Sequence, residues 1–194
     1  MKKNKPSIIN GITFYPHPNG GGLVAKTAKV AKTAYIGSNA MVCDNAKVCG
    51  NAIIYNHAIV SGWAKVYGNA EVSDYAKIYD DAKIFGEAKI FGNAEVYGWA
   101  EIYDNAEIYG FAKIFGNQSF HDNIKVSGDV KIFGNADISD YAKISGNAVV
   151  CDNAIICDNA KVLGDVEVSG NSIISENSII SSTKINWSTF EIKT

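Results

Sequence analysis

Ala88-Lys89-Ile90-Phe91-Gly92-Asn93 carries two structural signals in six residues. Ala and Ile alternate with Lys and Phe, the period of a strand whose side chains point to opposite faces, and Gly-Asn then supplies a pair that tolerates positive φ. The unit is a short strand closed by a sharp bend. It recurs: Val or Ile occupies every sixth residue from Val24 to Ile180, 27 positions in all, with Phe120 the single exception. Two residues earlier stands a small side chain, Ala at 20 of the 26 positions from Ala28 to Ser178. Two residues later comes Gly or Asp, usually followed by Asn. A helix is excluded, because six does not match the 3.6-residue period and the Gly or Asp break recurs too often for a helix to propagate. The β-branched inward residue is the type that a packed, pleated strand favours.

Bends that all turn the same way wind the chain into a coil of three strands, 18 residues per turn, with residue i stacked on residue i+18. The spacing predicts an all-β, single-domain, triangular parallel β-helix over 22–185, about nine coils and ~43 Å tall at ~4.8 Å per strand. Its core is a continuous stack of Val, Ile and Ala. Solenoids hold together through neighbouring coils and need closed ends. Residues 1–21 are expected to be an N-terminal cap, with Ile8, Ile9, Ile12 and Phe14 folded over the first coil. Residues 186–194 are expected to be a C-terminal cap, with Ile185, Trp187, Phe190 and Ile192 closing that end.

The V-x-[G/D]-N-A-x cycle and the opening Gly20-Gly21-Gly22-Leu23-Val24-Ala25-Lys26-Thr27-Ala28 resemble the hexapeptide-repeat proteins, whose fold is a left-handed parallel β-helix. The resemblance covers about five-sixths of the chain, and it is to the long uninterrupted repeat proteins of bacteria and phages that have no assigned activity. It implies the left hand, which spacing does not reveal, and a homotrimer. It also brings in the family's enzymes: acyltransferases, nucleotide-sugar enzymes and zinc carbonic anhydrases.

A net charge of −2 argues against a general nucleic-acid binder and is far from the acidity of a DNA mimic. No apolar run reaches the length of a membrane span, and the basic start lacks the hydrophobic segment of a signal peptide, so a cytoplasmic protein is expected. The four cysteines, Cys43, Cys49, Cys151 and Cys157, each follow an inward aliphatic and should point outward as free thiols. Six residues apart lies around a corner, which suits neither a disulfide nor a common zinc pattern. No metal and no cofactor are expected.

The three histidines, His17, His57 and His121, fall in a cap, at a corner and on a face, too dispersed for one zinc ion at ~2 Å bonds. An acyltransferase needs little more than a histidine base beside a groove between subunits, and His57 and His121 are its candidates. The long loop that usually interrupts such enzymes is missing from the cycle. One internal defect stands out: at Gln118-Ser119-Phe120-His121-Asp122-Asn123-Ile124, Gln and Ile replace inward Ala, and Phe replaces an inward aliphatic. It reads either as a local site with Asp122 orienting His121 or as a compensated repacking.

Positions 18 apart form vertical columns on the outside. Tyr79, Tyr97, Phe115 and Phe133 make one aromatic column, and Tyr67, Phe85 and Tyr103 a second. A third is interrupted by Ser73 between Tyr55 and Phe91. Beside the second runs a column of like charge, Lys29, Lys47, Lys65 and Lys83, whose stacked ammonium groups repel and which an anion would relieve. Trp63 and Trp99 share one edge two coils apart, as Tyr75 and Phe111 share another. The function expected is non-enzymatic binding and assembly. Trp63, Trp99, Tyr79, Tyr97, Phe115 and Phe133 supply the trimer interface, and Lys47, Lys65, Lys83, Tyr67, Phe85 and Tyr103 hold a small anionic or nucleotide-like ligand at inter-subunit grooves. A hexapeptide-repeat acyltransferase and a purely structural scaffold are the competing readings.

Overall fold

The computed structural model describes residues 5–181 and, by backbone alone, 184–192. It is all-β: short strands follow each other at six-residue intervals, and each pairs in parallel with the strand one coil away. The register is i to i+18 in the parallel pairings from Leu23 to Ile180, as in Lys65↔Lys83 and Val66↔Ile84. Three strands therefore complete a coil, one on each of three faces. One face is a nine-stranded parallel sheet from Tyr35–Ile36 to Ile179–Ile180, one strand per coil, so the solenoid has about nine coils.

The parity read from the repeat is the parity observed. Every Val or Ile of the cycle from Ile36 to Ile174, with Phe120, is fully buried, and so is the Ala two residues before nearly all of them. They form one cluster running the length of the coil stack from Ala34 to Ile180.

The corners explain why Gly and Asp alternate in the cycle. The bend residue has positive φ whether it is Gly92 (72°) or Asp74 (58°), a conformation that Gly, Asn and Asp tolerate. An Asp there makes a further bond: Asp74 Oδ2 accepts from Gly92 N at 3.1 Å, and Asp152 Oδ2 from Gly170 N at 2.9 Å, one coil along. Where the next corner crowds in, only Gly fits. A Cβ on Gly146 (φ 85°) would stand 2.6 Å from the backbone of Gly164. The Asn that follows many corners ladders in the same direction, as in Asn135 Nδ2 to Asn153 Oδ1 at 3.2 Å.

At the start of the chain, Ser7–Ile9 and Ile12–Pro16 form a hairpin around Asn10-Gly11, both at positive φ, the signature of a two-residue hairpin turn. The hairpin lies antiparallel on Leu23–Ala25, with Phe14 opposite Ala25. It covers a sheet edge, which blunts unwanted strand pairing. Phe14 is buried as expected, whereas Ile8 (75 % exposed), Ile9 and Ile12 stay on the surface. At the other end Lys184–Ile192 runs parallel to Glu167–Ile174, with a register shift between Gly170 and Ser172. The side chains of Ile185, Trp187, Phe190 and Ile192 lie outside the described residues.

Two substitutions test this account by urea unfolding. Ile102→Ala, which empties a fully buried stack position, should cost about 2–5 kcal/mol. Gly146→Ala should cost about 1–3 kcal/mol from backbone conformation alone, and more from the contact with Gly164. If Gly146→Ala unfolds at the wild-type urea concentration, corner crowding does not set the register.

Candidate functional site

The face that carries the lysine column also carries the irregular coil, so it holds most of the chemistry in the chain. Its outward ladder runs Lys29, Lys47, Lys65, Lys83, Glu101, Ser119 and Asp137 in consecutive coils. Two residues further along each strand stands the ring column. Tyr67 stacks on Phe85 at 4.8 Å, Phe85 on Tyr103 at 4.7 Å, and Tyr103 on His121 at 5.4 Å. His121 is thus the fourth ring of the column rather than an isolated base. The step from 103 to 121 is one more 18-residue interval, a signal the sequence holds.

The lysines divide into two groups. Lys83 Nζ lies 2.5 Å from Glu101 Oε1, and that carboxylate, by hydrogen bond first and charge second, holds the ammonium above the ordinary lysine range. Among the described residues, Lys29, Lys47 and Lys65 make no ion pair. They are exposed, and the position before Tyr67 in the ring column is Cys49, which presents no ring. One face of Tyr67 therefore carries no ring, and Lys65 precedes it on its own strand, with Lys47 and Lys29 one and two coils further along the same face. A second lysine column on another face, Lys125, Lys143 and Lys161, is likewise closed at one end by a carboxylate, Glu107, 3.0 Å from Lys125.

The irregular coil is repacked around Gln118 and Phe120. Gln118 is buried, and its Nε2 donates to Phe115 O at 2.5 Å and Gly134 O at 2.9 Å, while Oε1 has no partner. Phe120, Ile124 and Val130 are fully buried in the core around it. On the outside, His121 Nδ1 lies 2.6 Å from Asp122 Oδ2, and Nε2 lies 3.5 Å from Asp137 Oδ1. The first contact orients the ring as a catalytic base requires. The second places a carboxylate where a substrate hydroxyl has to approach, which works against proton removal from a hydroxyl. Ser119 Oγ, 3.5 Å from Tyr103 Oη, faces the tyrosine.

The other histidine candidate is placed differently. His57 stacks on Tyr75 at 5.0 Å on a corner, with no carboxylate on either ring nitrogen among the described residues. His17 is buried beside Asn19. The structure does not bring the three histidines together.

The residues expected at an interface fall into two kinds. Tyr79, Tyr97, Phe115 and Phe133 stack without a break at 4.7, 5.1 and 5.1 Å and are half-buried by one another. Burial, then the Glu95 carboxylate, pushes the Tyr79 phenol up to about 12. Trp63 and Trp99 project from their corner, 61 % and 66 % exposed, with Asp81 in the coil between them.

All four cysteines are free, as expected, but Cys151 is only 7 % exposed. Asp140, Cys157 and Asp158 bring ligand atoms within 4.8 Å of one another. Their carboxylates already serve the corner ladder, Asp140 accepting from Asp158 N and Asp158 from Glu176 N. Burial, then an adjacent aspartate, pushes the thiols of Cys43, Cys151 and Cys157 up to about 11.

The chain matches no family model and no curated protein sequence. No helix among the described residues is long and apolar enough to cross a membrane.

The thiols make a pH prediction. An unfolded thiol ionises near 9.0, while these native thiols hold their protons to about 11, so rising pH between those values favours the unfolded chain. Stability should fall across that window and lose part of the fall when Cys43 and Cys157 are changed to Ser. Alkylation of the native protein near neutral pH, read by peptide mass spectrometry, should label exposed Cys49 well before Cys43 or Cys157. Equal labelling would contradict the raised thiols.

Proposed function

We propose that the protein is a non-enzymatic binding and assembly protein of the hexapeptide-repeat type, a cytoplasmic homotrimer that captures a small anionic or nucleotide-like ligand on its lysine face. The observation that carries this reading is the uncompensated column Lys29, Lys47 and Lys65 beside the unstacked face of Tyr67. Like charges directly opposed on adjacent strands repel by up to about 1 kcal/mol, and an anion turns each repulsion into an attraction. A planar group on Tyr67 extends a column already stacked through Phe85 to Tyr103, and aromatic stacking of a base is worth about 1–3 kcal/mol. Lys83, expected among the ligand residues, is occupied by Glu101, so the site lies toward Lys29. The half-buried column Tyr79 to Phe133 and the projecting Trp63 and Trp99 are the subunit contacts in this reading.

The acyltransferase reading retains one favourable observation, the 2.6 Å contact of Asp122 with His121. Against it stands Asp137 on the other ring nitrogen.

Calorimetric titration of the purified protein with AMP and with inorganic phosphate separates the readings. AMP should bind more tightly than phosphate, and Lys47→Ala with Lys65→Ala should weaken AMP by about tenfold or more. His121→Ala should leave AMP binding unchanged. Wild-type affinity in the double lysine variant would sink the proposal, and acyl transfer from acetyl-CoA that is lost in His121→Ala would replace it with the enzyme. Native mass spectrometry of the same sample should give a trimer mass.

A further inference from the structure

On the corner that carries His57 and Tyr75, the ring column skips a layer. His57 and Tyr75 stack in successive coils, Asn93 follows, and Phe111 stands in the coil after that. Tyr75 and Phe111 flank a cleft of about 500 Å³, with Asn93 in the layer between them. The volume falls in the range of small-molecule sites, roughly 300–1,000 Å³. The same interruption makes the same feature on another face, where Tyr55 and Phe91 flank a cleft of about 250 Å³ over Ser73. Two of the clefts thus lie where a ring column loses one layer.

The gap has a defined thickness. Two inter-strand steps of ~4.8 Å separate Tyr75 and Phe111 along the coil axis, about 9.6 Å. A planar group midway lies ~4.8 Å from each ring, within the centroid range of stacked aromatic pairs. That is also the spacing at which this chain stacks its own rings, 4.7 to 5.1 Å within the column from Tyr79 to Phe133. Both walls are exposed, and filling the gap would cover one ring face of each.

The floor sets the chemistry of the occupant. In the gap layer lie the Asn93 amide and, two residues along the strand, the Glu95 carboxylate. Lys77, 3.2 Å from Glu95 Oε1, and Lys113, 3.8 Å from Oε2, hold that carboxylate in place from the layers on either side. Asp129 closes one rim. Two lysines balance two carboxylates, so the cleft offers no net attraction for an anion. Its polar edge presents acceptors, the Glu95 oxygens and the Asn93 carbonyl, to a ring carrying N–H donors.

We propose that this corner cleft is a binding slot for a neutral planar nitrogen heterocycle of the nucleobase class, stacked between Tyr75 and Phe111 with its N–H edge on Asn93 and Glu95. The slot does not depend on the lysine face, which it does not share, and Lys47 and Lys65 are untouched by its test. The probe is guanosine, a nucleoside without phosphate whose base presents adjacent N–H donors. Titration of the full-length protein, followed by saturation-transfer NMR and calorimetry, should show saturable binding, weakened about tenfold in Phe111→Ala through loss of one stacking wall.

Asn93→Phe is the sharper variant, because it fills the layer with a third ring and should abolish binding while keeping or raising the melting temperature. Guanosine binding of equal strength in wild type and Asn93→Phe would overturn the slot. So would the lack of saturable binding to wild type below about 1 mM. Dissociation of an oligomer by Asn93→Phe would overturn it too, by identifying the occupant as a side chain from a second copy of this chain.

Discussion

Backbone crowding at the corners is the constraint on which the other features rest. The chain turns through a left-handed backbone conformation at the corners from Asp44 to Glu176, and the same turn one coil away lies close enough that a Cβ on Gly146 would meet it at 2.6 Å. Where the corner residue is Asp, its carboxylate spans the same gap and accepts the backbone N–H of the next corner, as Asp152 does from Gly170 at 2.9 Å. Both devices penalise any slip of one coil over another. A slip of one residue would also turn the Val and Ile stack outward. The 18-residue step is therefore enforced from the corners and from the core together, and every outward side chain acquires fixed neighbours above and below.

Fixed neighbours make the surface chemistry a matter of columns. Rings gain from being stacked, so the columns from Tyr79 to Phe133 and from Tyr67 to His121 add stability with no partner needed. Lysines lose from it, by about 0.2–1 kcal/mol per directly opposed pair. A loss of that size is tolerated by a long core, and it persists as a standing attraction for negative charge. Glu101 and Glu107 each quench one end of a lysine column. Lys29, Lys47 and Lys65 are left outside that compensation, as are Lys143 and Lys161 among the described residues, and what marks the first column apart is the ring column that ends beside it at Tyr67.

The coil architecture was legible because the six-residue cycle encodes parity and bend together, and no residue from Ile36 to Ile174 breaks the parity. Columns were legible by the same arithmetic. Partnership within a column was not: adding 18 to Lys83 reaches Glu101, and adding 18 to Tyr103 reaches His121, but the direction in which a long side chain leans and the tilt of a ring are set by rotamers. The approach of Asp137 to His121 is diagonal between two coils and has no periodic signature. Outward parity also does not measure exposure, and Cys151 is outward by the cycle yet nearly covered. In the N-terminal segment, composition alone suggested that Ile8, Ile9 and Ile12 would cover the core, and the hairpin turn at Asn10-Gly11 went unread. Their strands pair with a sheet edge instead, which spends the hairpin on backbone hydrogen bonds and leaves those side chains in solvent.

A perfectly repeated solenoid has little capacity for recognition, because its rings spend their faces on each other and its charges alternate or repel uniformly. Recognition enters where the repetition fails. An unbroken column such as Tyr79 to Phe133 offers a ligand only ring edges, since each interior ring is covered on both sides. A column that stops, as at Tyr67 above Cys49, offers one face. A column that skips a layer, as between Tyr75 and Phe111, offers two faces at a separation matched to a single planar group, with the small residue of the missing layer supplying the polar edge. The skipped layer costs the fold only one ring contact on each side, because the corner backbone and the buried Ala and Ile of the same coil maintain the register without it. A β-helix can therefore acquire a site by single substitutions in its outward columns, and the positions that break the pattern outside are the ones in which its chemistry resides.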